Sequence, residues 1–422
     1  MTDPQAIRPL EQRPDADVVV PGSKSHTNRA LVCAALAEGR SRLSGALFAE
    51  DTEAMLGALR TLNIGVSADP DTTTVLVDGC DGRLMVDGPT LDVRQSGTTG
   101  RFLLPTLALA TGVSVLDGDP QLRSRPFGDL VDALAQLGVE ASGATLPIEV
   151  RGGTFRGGAV TVAGAVSSQF LSGLLLNAPC ADSAIEITVL GELVSVPYVD
   201  LTLSTMAAFG AEVVNRDHQQ FVVEPSGYRG ADVLIEPDAS AASYFFGAAA
   251  VTGGRVRIGG LGNDTVQGDL AFVDVLEQMG AIVRRGPVST EVTGPAQLTG
   301  VDVDLADFSD TAQTLAVVAS FASSPTRVRG IGFIRHKETD RIGAVTTELR
   351  RRGIKVDEHD DGFTVYPGSP TAGVVHTYDD HRMAMSFSLL GLVYPGIEIA
   401  DPGCVAKTFP TFFAALEQLR LP

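Results

Sequence analysis

One pattern recurs five times along this chain, and it restricts the fold more than any other feature. A helix-forming run stops at Gly or Asn, an apolar residue follows, and two strand-like segments come next. The copies read ALRTLNIGVSADPDTTTVLVDG, ALAQLGVEASGATLPIEVRG, TMAAFGAEVVNRDHQQFVVEPSG, VLEQMGAIVRRGPVSTEVTG and ELRRRGIKVDEHDDGFTVYPG. Their stop residues, Asn63, Gly138, Gly210, Gly280 and Gly353, lie about 70–75 positions apart. Gly and Asn tolerate the left-handed backbone that closes many helices, where other residues meet a Cβ clash. Near-even spacing of this kind marks an internal structural repeat. A sixth helix, Phe412 to Leu419, falls in step, but no strand pair follows it. The run Asp17 to Val20 is predicted to supply the missing strand, which joins the N-terminus to the C-terminal half. The expected fold is α/β, with two lobes of three repeated units each, in the manner of an inverse α/β barrel. Residues 1–20 plus 237–422 form one lobe and 21–236 the other. Two crossovers, near Pro21-Gly22 and Glu236-Pro237, connect them, and the active site is expected in the cleft.

Charge narrows the range of partners. Asp and Glu total 51 against 32 Lys and Arg, a formal charge of −19. Such a chain repels nucleic acid and anionic lipid, so neither a nucleic-acid nor a membrane partner is expected. A local group of Arg and Lys can still reverse the field around a small anion. The four cysteines (Cys33, Cys80, Cys180, Cys404) form no CxxC pair and read as buried thiols in a reducing compartment. The opening segment lacks the basic-then-apolar profile of a signal peptide. The most apolar stretch, Phe102 to Leu116, is too short for a bilayer and contains Pro105 and Gly112. A cytoplasmic location is expected.

The chemically suggestive polar segments sit at the starts of predicted helices. PGSKSHTNRALVCAALAEG turns from a strand into a helix that Gly39 ends. QSGTTGRFLLPTLALATG puts Ser96-Gly97 at a helix start with Arg101 in the first turns. VSSQFLSGLLLNAP does the same with Ser167, Ser168 and Gln169. DFSDTAQTLAVVASF and DDHRMAMSFSLLGL place Asp310 and Asp380 where N-caps belong. HKETDRIGAVTTELRRRG opens with Lys337, Glu338 and Arg341, and AKTFPTFFAALEQL presents Lys407. Helix N-termini carry unpaired N–H groups and the positive end of the macrodipole, so they attract anions. An Arg in a first turn opposes that dipole, which makes an anionic partner for Arg101, Arg341 and Arg382 more plausible. With Lys24, Arg29, Arg125 and Lys407 the set describes a cationic pocket for phosphorylated or carboxylated small molecules. Plainer readings stand beside this one. Asp310 and Asp380 serve as simple caps, Lys337-Glu338 and Asp340-Arg341 form a solvated ion-pair face, and Arg350 to Arg352 complement a helix C-terminus. The spacing of a Walker-type phosphate loop is missing, no GxGxxG follows a strand, and no GxSxG elbow appears. The six histidines show no ligand spacing, so no metal is expected.

Taken together, PGSKSHTNRAL, SGTTGRF, RSRPFGDL, SSQFLSGLLL, LVSVPYVDLTL, PDASAASYFF, DFSDTAQTLA, RHKETDRI, YDDHRMAMSFSL and DPGCVAKTFP resemble the 5-enolpyruvylshikimate-3-phosphate synthases, a family of enolpyruvyl transferases. The resemblance runs in the family's order from about Pro21 to the last helix. It implies two lobes of three α/β units and a transferase of the shikimate pathway of aromatic amino acid biosynthesis. Phosphoenolpyruvate would be joined to the 5-hydroxyl of shikimate 3-phosphate by addition and elimination, releasing phosphate, with no metal or organic cofactor. Carried over by motif, Lys24 touches both substrates. Shikimate 3-phosphate is implied to lie against Ser25, Arg29, Ser167, Ser168, Gln169, Ser195, Tyr198, Asp310 and Lys337. Phosphoenolpyruvate is implied to lie against Gly97, Arg125, Gln169, Arg341, Arg382 and Lys407. Asp310 and Glu338 match the family's two catalytic carboxylates, with their proton roles left open, and Lys24 joins them as a catalytic group. Cationic motifs split between the lobes point to their closure, and a monomer is expected. The small Gly97 suggests room for glyphosate, which competes with phosphoenolpyruvate in the family, although Gly100 and Phe102 differ from residues common there. Phe333 and Gln95 depart from the Asn common at those two places. Two alternatives remain. The related transferase acting on UDP-N-acetylglucosamine carries a reactive Cys where this chain reads GDPQLRSRPFGDL. A catalytically dead anion-binding paralog would not be expected to keep Lys24, Asp310, Glu338, Arg382 and Lys407 together.

Overall fold

The computed structural model describes residues 3–420. The chain separates into two compact units: Gly22–Ile235, and the residues up to Pro21 together with those from Glu236 onward. Each has its own hydrophobic core.

Within Gly22–Ile235 the repeat appears as three four-stranded sheets of one design. In the second of them, Thr90–Asp92 runs parallel to Val113–Asp117, which pairs antiparallel with Ile148–Arg151, itself antiparallel to Glu140–Ala141. Gly158–Ala163, Ile185–Leu190, Gln220–Val223 and Val213–Arg216 repeat that order. The first sheet is built on Arg40–Ser44, Thr74–Asp78 and Gly65–Asp69, and it borrows its parallel edge from Asp232–Leu234, the end of the unit. The other unit follows the same plan with Asp302–Asp304, Thr326–Arg329, Gly362–Val365 and Val356–His359.

The N-terminal segment enters this second unit twice, and here the sequence expectation needs correcting. Asp15–Val18 does not complete the last repeat. It forms the parallel edge beside Arg255–Gly259, whose remaining partners are Ser289–Thr293 and Ile282–Arg285. The strand missing from the last repeat comes from Gln5–Ile7, antiparallel to Ile397–Ile399, which lies parallel to Gly373–Val375. The apolar run Val18 to Val20 is the visible strand signal, whereas the three-residue strand Gln5–Ile7 leaves almost no periodic pattern.

Three helices in each unit are almost wholly buried. In one unit these are Lys24–Leu36, Gly97–Thr106 and Ser168–Asn177, which pack on one another. In the other they are Ala239–Thr252, Ala312–Ala319 and His381–Gly391. A helix reading ASAASYFFGAAAVT is apolar around its whole circumference and must be enclosed on every side. Gly247 lets its neighbours close in, since a Cβ there would stand 2.8 Å from Leu389 and 3.1 Å from Thr314. Ser243, Thr314 and Ser386, one from each helix, share hydroxyl hydrogen bonds of 3.2 Å that satisfy polar groups in this core. All five predicted stop residues adopt positive φ, from 60° at Asn63 to 105° at Gly280. Of the cysteines only Cys33 is fully buried, and the other three are half-buried. Burial still pushes the Cys180 and Cys404 thiols up to about 12, so they stay protonated. Among the described residues no helix is long and apolar enough to cross a membrane.

Candidate active site

In the unit Gly22–Ile235 the predicted residues gather at the starts of its central helices. Ser23 caps Lys24–Leu36, accepting from the His26 N–H, and leaves Lys24 as the first helical residue. The Lys24 ammonium lies 3.2 Å from Asp51, with both side chains largely buried. Asp51 belongs to the acidic first turn of Glu50–Thr61, where the dipole favours it. Its carbonyl accepts from Thr99 at 3.2 Å, which ties that turn to the start of Gly97–Thr106. Ser96 caps this second helix and Ser167 the third, each accepting from a backbone N–H. Gln169 links them: its amide donates to Thr98 at 3.2 Å, while its oxygen accepts from Arg101 at 2.8 Å. Arg101 is sandwiched near the rings of Phe127 and Phe170. Gly97 leaves room for two guanidiniums, because a Cβ there would stand 2.8 Å from both Arg101 and Arg125.

Arg29 is turned inward. Its guanidinium donates to Thr202 at 2.7 Å, Ser172 at 3.3 Å, the Tyr198 carbonyl at 2.9 Å and the Ser25 carbonyl at 3.0 Å. It also lies over the Phe102 ring. These partners are all uncharged. Burial therefore pulls Arg29 down to about 10, partly offset by Tyr198 and Cys33. Arg29 thus braces two predicted ligands, Ser25 and Tyr198, by their backbones. Ser195 precedes the helix Val196–Ala208 with φ 56°, a left-handed conformation unusual for serine. Burial and the nearby Arg29 lower His26 to about 4, so that ring is neutral at pH 7.

The second unit builds a different cluster. Arg341 opens the helix Arg341–Arg351 with its side chain almost wholly buried, and it grips three carboxylates. Its guanidinium donates to Asp380 at 2.8 Å, Asp310 at 3.0 Å and Glu338 at 2.7 Å. Burial disfavours the cation, but Asp380, Glu338 and Asp310 together raise its pKa above the ordinary arginine value. Arg382 donates to the other oxygen of Asp310 at 2.5 Å and to the Tyr244 hydroxyl at 3.3 Å. Asp269, hydrogen-bonded by Ser240, sits in the same neighbourhood, and burial with the charge of Asp310 pushes it up to about 7. Lys407 is buried at the end of a short 3-10 helix, Pro402–Lys407. Lys337 stands over the Phe333 ring at 5.8 Å, so that departure from the family pattern places a cation–π partner beside the lysine.

Two plainer readings of these residues fall. Asp310 is more than a cap, because it sits in the 3-10 turn Ser309–Thr311 with its two oxygens on guanidiniums. Glu338 and Arg341 are a buried pair and not a solvated face. Asp380 is a true cap, accepting from the Arg382 N–H at 2.8 Å, and it anchors Arg341 as well. Sequence reasoning did not single out Asp51, Tyr244 or Asp269. Asp51 was hidden as an ordinary first-turn acid. Among the described residues no group of three or more His, Cys, Asp or Glu could hold a metal ion.

Comparison with known proteins bears on the family. The pattern of the family described as EPSP synthase (3-phosphoshikimate 1-carboxyvinyltransferase) matches residues 10–416. The 3-phosphoshikimate 1-carboxyvinyltransferase of Nostoc sp. is 46% identical over 97% of this chain and 98% of its own. That of Yersinia pseudotuberculosis is 45% identical over 95% of each. An EPSP synthase structure from Acinetobacter baumannii superimposes with a TM-score of 0.83 at 27% identity, covering 99% of this chain and 98% of that one. The chain therefore belongs to the EPSP synthase family, the shikimate-pathway transferases that attach an enolpyruvyl group to 3-phosphoshikimate.

Proposed function

We propose that the residues assembled above divide the work of enolpyruvyl transfer between them. Shikimate 3-phosphate is held by Lys24, Ser25, Ser167, Ser168, Gln169, Ser195 and Tyr198, with Arg29 bracing Ser25 and Tyr198 and with Lys337 and Asp310 as further contacts. Phosphoenolpyruvate is held by Lys24, Gly97, Arg125, Gln169, Arg341, Arg382 and Lys407, whose cations match its phosphate and carboxylate. In the addition step the 5-hydroxyl oxygen bonds to C2 of phosphoenolpyruvate. Its proton passes to a carboxylate while an acid delivers a proton to C3. The tetrahedral ketal then loses phosphate as the C2–O bond breaks, and C3 returns a proton to restore the vinyl group. Asp310, clamped by two guanidiniums, suits the base for the hydroxyl proton. Glu338, held by the Arg341 guanidinium, is left the exchange at C3.

The observation that carries this reading is the buried pair of arginines on Asp310 and Glu338, because isolated stability gains little from so many enclosed charges. Phosphate release from phosphoenolpyruvate, run in parallel with shikimate 3-phosphate and UDP-N-acetylglucosamine, is the test. Release with the shikimate compound alone is expected. Release only with the sugar nucleotide would reassign the acceptor, and silence with both from folded protein would revive the dead paralog. A monomer acting in the cytoplasm and inhibited by glyphosate belongs to the same proposal. Light scattering, localisation and an inhibition curve against phosphoenolpyruvate test those parts.

A further inference from the structure

Asp380 is fully buried, and its two oxygens serve the two arginines assigned to phosphoenolpyruvate, accepting from the Arg382 N–H and from the Arg341 guanidinium. The chain reaches it through a strained approach. Tyr378 and Asp379, the two residues immediately before it, have φ of 55° and 56°. Neither is glycine, and two successive left-handed residues persist only where their surroundings impose them. The loop borders a cavity of about 920 Å³ lined by Arg351, His376, Thr377, Tyr378, Asp379 and Asp401, among others.

Glu348 supplies one restraint on this loop. It lies two turns beyond Arg341 on the same helix, Arg341–Arg351, so both project along one side. Its buried carboxylate accepts from the Tyr378 hydroxyl at 2.7 Å, the His376 N–H at 3.1 Å and the Arg351 guanidinium at 2.7 Å. One helix therefore holds the loop at two points, through Glu348 at His376 and Tyr378 and through Arg341 at Asp380.

We infer that Glu348 and Tyr378 are positioning residues that set the register of Asp380 against Arg341 and Arg382, and so the grip of those arginines on phosphoenolpyruvate. The inference rests on the function proposed above. Burial and the Glu348 carboxylate push the Tyr378 phenol up to about 12, so it remains a donor at any working pH. Neither Glu348 nor Tyr378 is among the residues assigned to substrate.

The test is steady-state kinetics of Tyr378→Phe and Glu348→Gln, each also combined with Asp380→Asn. Tyr378→Phe is expected to raise KM for phosphoenolpyruvate about fivefold or more, in the range of contacting residues that act through one another. KM for shikimate 3-phosphate should stay within about twofold. Glu348→Gln should show the same selectivity. In the Asp380→Asn background neither substitution should add a further rise, because the route through Asp380 is already broken. Three results overturn the inference: an unchanged KM for phosphoenolpyruvate, equal rises for both substrates, or fully additive effects with Asp380→Asn. An inactive wild-type enzyme would overturn the proposed function along with it, whereas an active wild type with an unaltered Tyr378→Phe would overturn the inference alone.

Discussion

The two units bury arginine in opposite electrical surroundings. Arg29 meets hydroxyl and carbonyl oxygens and an aromatic ring, and burial lowers its pKa to about 10. Arg341 meets three carboxylates, which outweigh the same burial and raise its pKa. Near Arg29, positive charge is left over for a static anion such as a phosphate. Around Arg341, any incoming anion meets a guanidinium already shared by three carboxylates. Under the proposed function, one unit is suited to holding a charged substrate and the other to handling its protons.

The largest test of this contrast is stability. Arg341→Met removes the cation shared by three enclosed carboxylates, of which Asp310 keeps Arg382, and should cost about 3–5 kcal/mol in urea unfolding. Arg29→Met leaves only neutral oxygens and should cost clearly less. Equal losses would break the comparison. Next is turnover: Asp310→Ala and Lys24→Met should each lower it by more than about 100-fold, on the order of 3 kcal/mol of transition-state stabilisation. A near-normal rate of phosphate release in either folded variant removes that residue's role.

His26 sharpens the contrast through pH. Its folded pKa of about 4 lies below the ordinary 6.5, so the neutral ring is favoured in the folded state. The unfolded chain takes up this proton first as pH falls. Stability is thus present above about pH 6.5 and lost towards pH 4, by about 3 kcal/mol at most. His26→Gln should flatten that part of a thermal-unfolding profile, and an unaltered slope would place the acid sensitivity elsewhere. The smallest effect concerns Gly97→Ala. Its methyl would meet two arginine tips at 2.8 Å, which flexible side chains can yield to. KM for phosphoenolpyruvate should rise on the order of tenfold with thermal stability nearly unchanged.

How much of this could be read beforehand follows from the range of each interaction. Helix stops at Asn63 and Gly353 are local, because left-handed backbone selects the residue that adopts it. Caps such as Ser96 and Ser167 are local too. Pairing is not: nothing near Lys24 in sequence announces Asp51, and nothing near Asp310 announces that its two oxygens will be divided between Arg341 and Arg382. The same limit hid Gln5–Ile7, whose partner strand lies at Ile397–Ile399. Family motifs brought the charged residues together as a set, and only coordinates show which carboxylate sits on which guanidinium.

The borrowed strands also bear on the order of assembly. A ribosome makes the chain from its N-terminus, so residues 5–18 emerge before any of their partners. The unit Gly22–Ile235 can finish while synthesis continues, because Asp232–Leu234 closes its first sheet. Asp15–Val18 must wait for Arg255–Ile258, and Gln5–Ile7 for Ile397–Ile399. Throughout that interval the leading arm carries unpaired strand edges past a domain that is already folding. Moving those residues to the far end by circular permutation would make both units continuous in sequence and remove the wait. In the natural order, Gln5–Ile7 is made before the rest of its unit and is among the last strands to find its place.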